Sequence, residues 1–175
     1  MYFSNFPIIV YDAVGNNNFK LVTNLLKRVG VRAKVKVNTL FFDTYDVKEG
    51  ETPEIIADKL YGDPELHWVV LFVNGITDRY HQWPMSSSQF LAFINDKYSD
   101  VDATHHYEIA QTSGDTTIKI DVGTVNTDHT AATLITNFEY EEKVQDEVRK
   151  IRLLDPIYIE PFVDQYERLI AESIL

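Results

Sequence analysis

The groups in this 175-residue chain with chemistry to offer are 27 carboxylates and five histidines. The histidines are His67, His81, His105, His106 and His129. On a strand, His105 and His106 point to opposite faces, so they do not readily share a metal. His129 lies near Asp121 and Asp128 in sequence, but the spacing matches no known ligand pattern and fits solvated loop residues. The acids offer pairs for general acid–base work, Glu51 and Glu65 among them. With so many acids such a pair arises by chance and points to nothing. No G-x-S-x-G elbow, G-x-x-x-x-G-K-[ST] phosphate loop, H-E-x-x-H zinc helix or G-x-G-x-x-G turn is present. There is no cysteine, hence no thiolate nucleophile, no thiolate metal site and no disulfide framework. The expectation is a protein that is not an enzyme and carries neither metal nor cofactor.

Charge narrows the partners. Sixteen basic residues against 27 acidic ones give −11, the wrong sign for a phosphate-binding surface. Apolar residues make up 45% of the chain, enough for a real core, so the acidity is not that of a disordered tail. The longest apolar run, Trp68 to Val73, is far short of the roughly 20 residues a membrane span needs. The N-terminus lacks the basic start and length of a signal peptide. A soluble protein made in the cytoplasm is expected, with no nucleic-acid or membrane partner.

Several elements are legible. Pro7 to Tyr11 reads as extended. Leu21, Leu25 and Val29 recur every fourth residue, which predicts a helix ending at Gly30. Val31, Ala33, Val35 and Val37 alternate with polar residues as a strand. Tyr45 to Val47 is a strand and Gly50 a turn. Thr52-Pro53 opens a helix that Gly62 stops, and Asp63-Pro64 opens a second that ends at Asn74-Gly75. Residues 76–85 read as an aromatic loop. Ser86-x-x-Gln89 is a capping box for a third helix. A β-hairpin and a third strand follow, built on Tyr107 and Ile109, on Ile118, Ile120 and Val122, and on Leu134, Thr136, Phe138 and Tyr140. Residues 139–150 are helical, 151–154 a strand, and Asp155-Pro156 starts a last helix. Its apolar side carries Ile159, Phe162, Val163, Tyr166, Leu169 and Ile170.

One segment stands above background. It reads Tyr45-x-Val47-x-x-Gly50-Glu51-Thr52-Pro53-x-x-Ile56-Ala57-x-x-Leu60-Tyr61-Gly62, with eleven residues then leading to Asn74. It resembles the LysM domain, a βααβ module that binds N-acetylglucosamine chains. It departs from that family at Glu51, where Asp is usual, and at Pro53, where Leu is usual. No closing strand follows Asn74, and the nearest suitable segment is Lys150 to Leu154. The fold class expected is therefore α+β, a LysM-like βααβ unit interrupted by an inserted helix and β-hairpin region. Residues 1–40 form an N-terminal helical arm, 41–75 and 149–156 the split unit, 76–148 the insertion, and 157–175 a C-terminal helix.

A split unit of this kind, with Asp78 to Trp83, a helix ending at Lys97-Tyr98 and a terminal Arg149-Lys150-Ile151-Arg152 strand, resembles the LysM-like baseplate wedge proteins of contractile-tailed, T-even-type bacteriophages. The resemblance implies a structural part of the virion tail baseplate, made in the host bacterial cytoplasm. It implies a role in bridging neighbouring wedges, in several copies around a six-fold baseplate. It also implies contacts with wedge core proteins and the sheath initiator, and neither catalysis nor cofactor. Two rivals are a peptidoglycan- or chitin-binding LysM module and, lowest, a cell-wall hydrolase. Three surfaces suit assembly. Tyr2, Phe3 and Phe6 either insert into a partner or cover the chain's own core. Arg32, Lys34 and Lys36 form either a solvated edge strand or a dock for an acidic partner. Tyr80 and Trp83 form the third, with local packing the plainer reading of Trp83.

Overall fold

The computed structural model describes residues 5–30, 39–114 and 117–172. The expected basic strand at 31–37, with Arg32, Lys34 and Lys36, lies outside these, as do Tyr2 and Phe3. The described residues form helices and antiparallel sheets, as an α+β chain should. None of their helices is long and apolar enough to cross a membrane. The chain divides into two units, one of 1–46, 51–82 and 151–175, the other of 47–50 and 83–150.

The first unit opens with a hairpin where a helix was expected. Strand β1 (Ile8–Tyr11) pairs antiparallel with β2 (Lys20–Thr23), Val10 opposite Leu21. The repeat at Leu21, Leu25 and Val29 is too short to separate helix from strand. The β-branched residues Ile8, Ile9, Val10, Val22 and Thr23 favour the extended form. The Asp12 carboxylate then fixes the turn, accepting from the backbone N–H groups of Val14, Gly15, Asn16 and Asn17. Desolvation raises the Asp12 pKa, but those four donors outweigh it and hold the group below its ordinary value.

The centre of this unit is a sheet of β3 (Phe42–Asp46) and β7 (Lys150–Leu154) with a helical hairpin between them in sequence. Asp155 N donates to Phe41 O at one end and Val47 N to Arg149 O at the other, so the two strands run antiparallel. Helix α1 (Pro53–Tyr61) starts as read, with Thr52 Oγ1 accepting from Ile55 N and Pro53 at N1. Gly62 stops it at φ 72°. Asp63 caps a 3-10 turn (Pro64–Leu66) that runs into α2 (His67–Asn74), which Gly75 ends.

Asn74 closes the unit. Its Nδ2 donates to Arg152 O at 2.7 Å, and Arg152 N returns a bond to Asn74 Oδ1 at 2.8 Å. A side-chain amide thereby pairs with the backbone of β7 as a neighbouring strand would. Tyr61 Oη adds a bond to Leu154 O at 3.0 Å, and burial pushes its pKa up to about 12.

Helix α6 (Ile159–Glu172) completes the core. Trp68, Val69 and Val73 from α2 pack with Leu154, Tyr166, Ile170 and Phe6. The rings of Trp68 and Tyr166 lie 4.5 Å apart, and Phe72 and Phe162 border them. Leu169, expected on this face, is 40% exposed. Short helix α3 (Arg79–Gln82) occupies the expected aromatic loop. Asp78 and Gln82 build it locally, by accepting from Tyr80 N and from the N–H groups of Thr77 and Asp78.

In the second unit the capping box of Ser86 and Gln89 opens α4 (Ser87–Lys97). A three-stranded sheet places β4 (Thr104–Ala110) between β5 (Lys119–Gly123) and β6 (Thr133–Thr136). The third strand ends earlier than its alternation suggested. Thr136 and Glu139 form a second capping box, which draws Phe138 and Tyr140 into α5 (Asn137–Arg149).

Two substitutions test these joints. A β-branched residue at Gly62 meets no atom within 4 Å, so its cost is backbone strain alone. Gly62→Val should lower unfolding free energy by about 1–2 kcal/mol in urea titration; an unchanged midpoint would contradict the left-handed cap. Asn74→Ala leaves Arg152 N and O without their side-chain partners and should cost about 1–3 kcal/mol. Equal stability of Asn74→Ala and the parent would remove the closing role from Asn74.

Candidate functional site

The motif residues Tyr45, Val47, Gly50, Thr52, Ile56, Ala57, Tyr61, Gly62 and Asn74 are mostly structural parts. Val47, Ile56 and Ala57 are buried. Gly50 sits in the turn at φ 74°. Glu51 is buried and accepts from Tyr45 Oη at 2.8 Å and Lys59 Nζ at 2.5 Å. Burial, then that carboxylate, raises the Tyr45 pKa. Glu51 is thus a bound counterion rather than a free acid. Arg79 Nη1 reaches Glu54 Oε1 at 2.5 Å, which ties α3 to the first turn of α1. Desolvation raises the Glu54 pKa, while backbone and Thr52 hydrogen bonds and Arg79 lower it further.

Of the proposed interface residues, Phe6 belongs to the chain's own core. Tyr80 is 90% exposed on α3. Trp83 is half-buried. Exposed apolar residues cluster between Ile8 and Leu26, where the sequence reads Ile8 and Val10 as extended and Leu21 to Leu26 as part of a helix. One face of the β1–β2 hairpin carries Ile8, Val10 and Leu21, exposed by 67%, 64% and 75%. Leu26 beyond it is 86% exposed. The hairpin's base is anchored, because Asn24 N donates to Pro7 O and both Phe6 and Val29 enter the core. The overlooked signal was Gly15-Asn16-Asn17-Asn18, a turn-forming run between two short aliphatic stretches.

In the second unit, helix α5 presents a polar face inward. Asn137, Glu141 and Gln145, spaced one turn apart, are all buried. Each has a partner. Asn137 Nδ2 donates to Asp100 O, Glu141 Oε1 accepts from Lys97 Nζ and Tyr98 Oη, and Gln145 Oε1 accepts from Met85 N. Desolvation raises the Glu141 pKa, but the bonds from Lys97 and Tyr98 outweigh it and leave the group below its ordinary value.

The histidine pair departs from the strand rule. A register shift between Thr104 and His106 brings the two Nδ1 atoms within 2.8 Å, with His105 stacked on Tyr140. His106 Nε2 lies 3.1 Å from Glu108 Oε1, which also takes Lys143 Nζ at 2.8 Å. The hydrogen bond from Lys143, joined by that from His106, outweighs the desolvation that would raise it and holds the Glu108 carboxyl below its usual range. Among the described residues no group of three or more His, Asp or Glu could hold a metal ion.

A family model described as base plate wedge protein 53 matches residues 1–173. The chain belongs to that family. A stretch of 58 residues is 36% identical to baseplate wedge protein gp53 of Enterobacteria phage T4, covering 33% of this chain and 30% of that protein. The aligned stretch is thus less than a third of the relative's length. Membership makes this chain a structural protein of a phage tail baseplate.

The buried carboxylate of α5 has a pH signature. The folded pKa of Glu141 lies below its ordinary value in an unfolded chain. Its stabilisation is therefore complete above that value and lost as pH falls through the lower folded one. Glu141→Gln should flatten the acid limb of the stability profile between about pH 5 and pH 3. A limb as steep as the parent's would assign acid sensitivity to other groups.

Proposed function

We propose that this chain is a non-catalytic wedge component that bridges neighbouring wedges as the baseplate closes. It does so in several copies around a six-fold assembly, in contact with wedge core proteins and the sheath initiator. The observation that carries this reading is the β1–β2 hairpin, a two-stranded ribbon that leaves Ile8, Val10 and Leu21 in water. Such a ribbon has little stability of its own, and a monomer gains nothing from an apolar outer face. A partner that covers the face supplies both. The family supports the wedge as the place of work.

A second reading, a glycan-binding LysM-like module, draws support from the β3–α1–α2–β7 order. Against it stands α3, which the Arg79–Glu54 ion pair holds at the start of α1, where a LysM groove would need open loops. Two measurements separate the readings. Incubation with purified wedges should incorporate the parent chain, while Ile8→Ser with Leu21→Ser should reduce incorporation at least tenfold. Pull-down on insoluble peptidoglycan, with tryptophan fluorescence titration by chitin oligomers, should give no saturable signal. Saturable glycan binding with normal wedge entry of the double variant would reverse the choice.

A further inference from the structure

Charge is segregated along this chain. Residues 20–48 hold seven basic and two acidic residues, net +5, against −16 for the remainder. The second unit alone, at 47–50 and 83–150, has six basic and thirteen acidic residues, net −7. Within it, acid and apolar surface meet at one cleft of about 470 Å³. Val144, Val148 and the ring of Tyr140 supply its apolar wall, and Glu108, Asp121 and Glu147 its acids. Glu108 and Asp121 are direct cross-strand partners of β4 and β5, a like-charge pairing that disfavours the sheet. Lys143 is the lysine in the lining, and it binds Glu108. Glu147 holds Lys150 at 2.6 Å. Asp121 Oδ1 accepts from the backbone N–H of Gly123 at 2.7 Å. The cleft therefore favours an occupant that is apolar at its tip and basic around it.

The hairpin has that chemistry. Its exposed face is Ile8, Val10 and Leu21, and Lys20, Lys27 and Arg28 lie beside it or after it in sequence against a single acid, Asp12, which the amides of its own turn already engage. We propose that copies of this chain associate head to tail, with the basic, apolar hairpin of one copy seated in the acidic cleft of the next. The two surfaces differ, so the contact is heterologous, and a repeated heterologous contact closes into a ring when its rotation allows. Opposite charge speeds the encounter and selects the partner, while the apolar contact holds it. This deepens the bridging reading and rests on it, since it names one neighbour as a second copy.

The test is sedimentation of the full chain across a concentration series, at low salt and at about 0.5 M salt. Association should rise with concentration and weaken at least tenfold in high salt. Leu21→Ser and Val144→Arg should each weaken it at least tenfold, with far-UV circular dichroism unchanged because both side chains are exposed. Mixing the two variants should restore a dimer, because each retains the surface that the other lacks. If Val144→Arg fails to fold, Glu147→Lys on the same exposed face takes its place. A monomer at every concentration, or association indifferent to both variants, overturns the proposal. A chain that stays monomeric but enters wedges overturns the self-contact alone. One that does neither overturns the wedge reading with it.

Discussion

Strand β7 has to be held at both edges, and this requirement organises the first unit. It returns to β3 after an excursion of about a hundred residues, and a two-stranded sheet leaves one edge of each strand open. Asn74 fills that edge at Arg152 with a donor and an acceptor from a single side chain. Asn74 is also the last residue of α2, so the same residue ends the helical hairpin and receives the returning chain. Closing so long a loop costs only a logarithmic penalty, and a few well-placed bonds beside a packed core suffice to offset it. That core is close by in the chain. Leu154, the last residue of β7, lies with Trp68 and Tyr166, and Asp155 then caps the turn that leads to α6.

The second unit is held by a different means. Its helix α5 turns amides and a carboxylate inward instead of an aliphatic stripe. Buried polar groups of this kind add little net stability when satisfied and cost much when they are not. What they supply is register. Asn137 reads the carbonyl of Asp100, Glu141 reads both Lys97 and Tyr98, and Gln145 reads the amide of Met85. An aliphatic face would tolerate sliding along α4, whereas this ladder fits one alignment. For a protein that meets other baseplate proteins, a single alignment is worth more than an extra increment of stability.

How legible each element was follows from how local its cause is. The caps at Thr52, Asp63, Ser86 and Asp155 were readable, since each depends on residues within one turn. The return of β7 to β3 was readable because residues 45–74 leave a recognisable gap. The N-terminal hairpin was misread because Leu21, Leu25 and Val29 suit two periods, and the deciding contact is the Asp12 carboxylate gathering four amides of its own loop. The bulge that brings His105 against His106 was hidden for another reason: a register shift belongs to the pairing of two strands and is not written in either one. The polar face of α5 escaped a search for apolar stripes by construction. Exposure is a property of the finished fold, so the sequence left the candidate surfaces as alternatives, and Phe6 takes the one in which it covers the chain's own core.

The engaged acids of the interior and the exposed hairpin divide the polar and apolar work of this chain between inside and outside. A catalytic site concentrates perturbed groups in a pocket and keeps them free to react. Here Glu51, one of the acids the sequence offered, is engaged, as are Glu141 and Glu108. Glu51 holds Tyr45 and Lys59, Glu141 holds Lys97 and Tyr98, and Glu108 holds His106 and Lys143. Each buried charge serves to fix one element against another inside its own unit. The apolar surface that remains unsatisfied is at the outside, on a ribbon too thin to have a core of its own. A fold that engages these acids internally and leaves hydrophobic side chains in water is suited to contact with other chains. That distribution suits a subunit whose product is an assembly, and it accounts for an acidic protein, poor in motifs, keeping an anchored apolar arm.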